Sequence, residues 1–144
     1  MRFSLLPALG LAAALFCVQP ALADDDDAPS FVRLHAVDLL ENALTPEQTT
    51  TLQLVAYQAA IAAACEGFTL DSAKMDKAFE KLAPVDAAKM TDAQKDYHDQ
   101  HLLVIYGILV GGELGAMADD VSAACAKAGE AKADPEFAAE LVWE

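Results

Sequence analysis

"IAAACEGF", residues 61–68, ends an alanine-rich run with a cysteine and places a glycine two positions later. Alanine favours helix. Gly67 can stop one by taking a left-handed conformation without steric cost. The pattern returns in "VSAACAKAG", residues 121–129, with Gly129 as the helix end. The pair of stretches predicts two helices, each carrying one cysteine near its C-terminal end. If those ends meet, the fold is a stapled helical bundle.

The staple depends on the compartment. Residues 1–23 read as a secretory signal peptide, with Arg2 as the positive start and an apolar run from Leu5 to Val18. Ala21 and Ala23 are the small residues at −3 and −1 of the cleavage point. The run is shorter than the roughly 18–20 residues of a spanning helix, and four aspartates follow it. Cys17 suggests lipoprotein processing, but Phe16 stands where that needs a small residue. The expected product begins near Asp24, is periplasmic or secreted from a bacterium, and has no membrane span. Cys65 and Cys125 are then its two cysteines, in an oxidising setting where one intramolecular disulfide is the default. The rival reading is two buried free thiols. A redox pair would form Cys-x-x-Cys, which is absent, and neither cysteine has a second ligand at metal spacing.

Removing residues 1–23 removes one base, Arg2, and leaves 8 basic and 23 acidic residues, a formal net charge of −15. Such a chain is repelled by nucleic acid and by anionic membranes. With carboxylates neutral and histidines charged, the net becomes about +11. Residues 24–30, "DDDDAPS", read as a solvated acidic arm. Residues 31–144 are long enough for one domain with its own core.

The domain reads as all-α, a bundle of four to five helices. A helix over 31–43 places Val32, Ala36, Leu39, Leu40 and Ala43 on one face. "TPEQ" (45–48) is a capping box with Pro46 at the first helical position. It opens a helix to about Glu66, with a stripe of Leu54, Tyr57, Ile61, Ala64, Cys65 and Phe68. Asp71 or Thr69 opens the next helix, over Lys74–Leu82, and Pro84 stops it. "TDAQ" (91–94) caps a long helix through Tyr97, His101, Ile105 and Ile108. Either that helix turns at Gly111-Gly112, or it continues and its glycines admit a close neighbour. A disulfide favours continuity, because the helices bearing Cys65 and Cys125 would run parallel and their C-terminal ends would meet. A short last helix is expected from Asp134-Pro135-Glu136, carrying Phe137, Leu141 and Trp143.

Chemistry is sparsely signalled. "YHDQH" (97–101) sets His98 and His101 three apart, on one helical face. They could begin a zinc or copper site with a donor from elsewhere, such as His35. The alternative is an exposed polar first turn grading into the buried part of the helix. Ser30, Ser72 and Ser122 lack a nucleophile-elbow context. "MADDV" (117–121) reads as a solvated helix face, and Tyr57, Phe68, Phe79, Tyr97 and Tyr106 read as core. No cofactor is indicated. The expected function is a non-enzymatic module that binds another protein, such as a basic one, through an acidic surface. An acid-responsive periplasmic chaperone and a metal-binding protein using His98 and His101 are the alternatives.

Overall fold

The structure, a computed structural model, describes residues 43–144. The expected signal sequence with Ala21 and Ala23, the acidic arm, and all but the last residue of the 31–43 helix lie outside the described residues. Among the described residues the fold is all-α. Its helices are α1 (Pro46–Ala64), α2 (Ser72–Glu80), α3 (Asp92–Ala116) and α4 (Val121–Ala133). A 3-10 turn, Ala87–Lys89, precedes α3.

The expected caps form. Thr45 Oγ1 accepts from the Gln48 amide at 3.2 Å, and Gln48 Oε1 accepts from the Thr45 amide at 3.0 Å. The Gln48 side chain also donates to the carbonyls of Lys81 and Ala83, each at 2.9 Å. One residue thus caps α1 and ties it to the turn after α2. Thr91 and Gln94 repeat the box on α3. Asp71 caps α2, which spans 72–80 rather than 74–82. Gly67 takes φ +83° just past the end of α1.

α1 is the central helix and meets α2, α3 and α4. It buries Leu52, Val55, Ala56, Ala59, Ala60 and Ile61, while Leu54 and Tyr57 are only half-buried. The expected stripe was therefore rotated and too narrow. A helix packed on several sides is apolar over most of its girth, so no single stripe marks its core side. α3 runs parallel to α1. Leu52 and Ala56 meet Leu102, Ile105 and Leu109 at one end. At the other end, Ala60, Ile61 and Cys65 share a cluster with Val110, Leu114 and Met117.

α3 continues through Gly111-Gly112, but not as far as Cys125. The chain turns over 117–119 and α4 departs at 116° to α3. Two residues explain the site of the break. Met117 is buried among Ala60, Ile61 and Trp143, and Asp120 Oδ1 accepts from the Ala123 amide at 2.9 Å, restarting a helix. Acidic "ADD" is thus a turn and a cap, not a helix face. α4 crosses the C-terminal end of α1 and closes the Cys65–Cys125 disulfide, with Cα atoms 5.7 Å apart. Gly129 lies inside α4, which ends at Ala133.

The expected last helix does not form. Residues 135–140 are turns, and 141–144 run extended beside residues 69–71. Leu70 and Trp143 form an isolated antiparallel bridge. Backbone bonds Asp71 N to Val142 O (2.8 Å) and Glu144 N to Thr69 O (2.9 Å) hold it. The nine residues after Pro135 bury more as a tail than as a helical stub, because Val142 and Trp143 both enter the core.

Candidate functional site

Three features carry the polar and surface chemistry of the described residues: a buried glutamine that holds the tail, a histidine groove, and the outward face of α3. Gln58 is fully buried on α1. Its Nε2 donates to Glu140 O at 2.9 Å and its Oε1 accepts from Val142 N at 2.6 Å. Its own backbone carbonyl accepts from Trp143 Nε1 at 2.9 Å. Lys74 Nζ donates to the Trp143 carbonyl. The Trp143 ring meets Phe68 edge to face, centroids 4.7 Å apart. This latch was not foreseen. Its only trace in the sequence is a glutamine inside an alanine-rich apolar helix.

His98 and His101 line one groove of about 430 Å³, together with Met90, Ala93 and Tyr97. The start of α3 is exposed at Asp92, Gln94, Asp96 and Tyr97, and the helix grades from there into its buried part. His98 is buried, and its Nε2 lies 3.0 Å from Leu82 O, so that nitrogen carries the proton and donates. A carbonyl of the turn after α2 is thereby satisfied. His101 is half-buried beside Tyr97, ring centroids 5.6 Å apart, and it too is engaged. Among the described residues no three of His, Cys, Asp and Glu come together as metal donors. Tyr97 is 68% exposed, contrary to the expected core position, whereas Phe79 and Tyr106 do pack edge to face at 5.3 Å.

The outward face of α3 is apolar. Leu103 is 57% exposed, Val104 61% and Ile108 36%. Gly107, Gly111 and Gly115 continue the same face, and a Cβ added at any of them would meet nothing within 4 Å. The glycines thus do not serve a close contact among the described residues. Exposed carboxylates bracket the ridge, Asp96 and Asp99 at one end and Asp119 and Asp120 at the other. Glu113, by contrast, is buried on the inner side and engaged. Burial raises the Tyr57 phenol above its usual range, and the charge of Glu113 adds to it. Burial alone raises Tyr106.

Among the described residues no single helix is long and apolar enough to cross a membrane; α3 and α4 reach that length together, but only across their 116° bend. No family model, curated protein or solved structure matches the chain.

Proposed function

We propose that this protein is a non-enzymatic binding module that engages another protein through the outward face of α3. The observation that carries the reading is the exposed ridge of Leu103, Val104 and Ile108, bracketed by carboxylates. Contiguous apolar surface rimmed by charge is typical of interaction sites. From Tyr97 to Gly115 the face is about 27 Å long, enough for an amphipathic helix of about five turns.

Charge selects the partner. A second copy, laid parallel or antiparallel, would bring carboxylates against carboxylates at both ends of the ridge. A helix with an apolar stripe and lysines or arginines at its ends complements it. On this reading the partner is basic, and the recognition surface is the ridge with the carboxylates at its ends. The disulfide and the expected signal at residues 1–23 support a periplasmic or secreted setting.

The test uses a fluorescent synthetic peptide with leucines on one helical face and lysines at both ends. Its anisotropy should report saturable binding to the oxidised protein. Val104→Asp with Ile108→Asp should weaken it by at least about tenfold, and rising salt should weaken it further. Binding that ignores both the substitutions and the salt would end the proposal.

A further inference from the structure

A second groove has a different character. It has a volume of about 430 Å³ and lies between α1, α2 and the tail that Gln58 holds down. Its floor is apolar, formed by Leu54, Val55, Ala78 and Val142. Its α2 side carries Lys74, Lys77 and Lys81. These are three of the seven lysines in a chain with net charge −14. Their spacing of three and four residues puts them on one helical face.

The three lysines have different duties. Lys74 donates to the Trp143 carbonyl and so belongs to the latch. Lys77 and Lys81 are exposed and one turn apart at the rim. Glu140 is the sole acid among the described lining residues, and its backbone carbonyl is already bound by Gln58. Thr50 and Thr51 also line the groove, but both hydroxyls donate to carbonyls one turn back on α1. The positive donors available to a ligand are therefore the two ammonium groups.

We infer that this groove binds a single-chain anionic amphiphile, of the fatty-carboxylate class, with its chain on the apolar floor and its carboxylate between Lys77 and Lys81. The volume falls within the range of small-molecule sites, about 300–1,000 Å³. The rest of the molecule repels anions, so a paired cationic rim over an apolar floor is a local exception with a defined complement. A neutral chain would gain the floor but not the rim. A short acidic peptide would gain the rim but leave the floor uncovered.

The experiment is calorimetric titration of the oxidised protein with decanoate below its micelle concentration, with decan-1-ol as the neutral counterpart. One decanoate should bind per chain. Lys77→Gln with Lys81→Gln should weaken it by roughly tenfold or more, as expected for two charge-assisted contacts, and leave decan-1-ol unaffected. Lys89→Gln, at a lysine outside the groove, should leave decanoate binding unchanged. Circular dichroism checks that each variant is folded, which these exposed positions permit. The inference is overturned by absence of saturable decanoate binding, by equal loss in Lys89→Gln, or by a decanoate affinity indifferent to the groove lysines. Displacement of decanoate by oligoglutamate at lower concentration would also overturn it, in favour of an acidic-peptide site.

Discussion

Gln58 shows how one polar residue can organise a chain end. Its amide satisfies Glu140 O and Val142 N together, and its backbone carbonyl takes the Trp143 indole. Replacing it with leucine keeps most of the volume but strands both backbone groups. Gln58→Leu should therefore cost about 2–6 kcal/mol, from about 1–3 for each of the two unsatisfied groups. Urea unfolding followed by Trp143 fluorescence checks it, and a red-shifted native emission should accompany the loss. Tyr57 and Tyr106 give a pH prediction. Both phenols are raised, Tyr57 by burial and then by Glu113, Tyr106 by burial. The folded state thus holds these protons more tightly than the unfolded state. Their contribution is fully present below the unfolded tyrosine pKa, about 10, and is lost as pH rises through the folded values. Absorbance at alkaline pH should show their ionisation delayed relative to the chain in denaturant. Glu113→Gln should move Tyr57 only part of the way back, because burial remains. The latch was illegible because its partners are backbone atoms more than 80 positions away. The histidines were legible as a pair sharing a face, but not the duty of His98, since the Leu82 carbonyl it binds leaves no mark in residue type.

At the scale of the element, local chemistry predicts starts better than ends. Thr45, Asp71 and Thr91 cap where their side chains say they should, because a cap is a contact over three residues. Ends depend on what the next residues bury. Gly111-Gly112 left a turn and a continuous helix both open; α3 passes through, as the disulfide favoured, and the break falls later, where Met117 enters the core and Asp120 caps α4. The last helix failed for the same reason, since Val142 and Trp143 gain more from the core than from a helical turn. The exposed glycines of α3 yield a double prediction. Gly107→Ala, Gly111→Ala and Gly115→Ala meet no neighbour within 4 Å. Each should stabilise the protein, by about 0.5–1 kcal/mol, seen as a higher urea midpoint. The triple variant should nevertheless bind the lysine-flanked peptide more weakly, because three methyl groups stand on the proposed binding face. Unchanged stability would mean that helix propensity is not what these glycines sacrifice.

For the whole molecule, the parallel run of α1 and α3 and the Cys65–Cys125 bond were readable from two alanine-rich stretches. The route between them was not, because α4 swings across the end of α1 rather than extending α3. The bond spans 60 residues. In the chain-entropy account such a loop contributes about 4 kcal/mol, so Cys65→Ala with Cys125→Ala should lower unfolding free energy by that order. A loss below about 1 kcal/mol would mean the α4 contacts, including Lys132 over the Phe68 ring, hold that end unaided. The charge excess was visible in composition, whereas the placing of exposed carboxylates at both ends of an apolar ridge, and of three lysines along one groove, needed the fold. The most direct test of the central claim is an NMR titration of the isotope-labelled oxidised protein with the lysine-flanked peptide. The account predicts shift changes concentrated in Leu103 to Gly115, with the Val104 and Ile108 methyls moving most. Changes centred elsewhere, or none at saturating peptide, would contradict the assignment of α3 as the binding face.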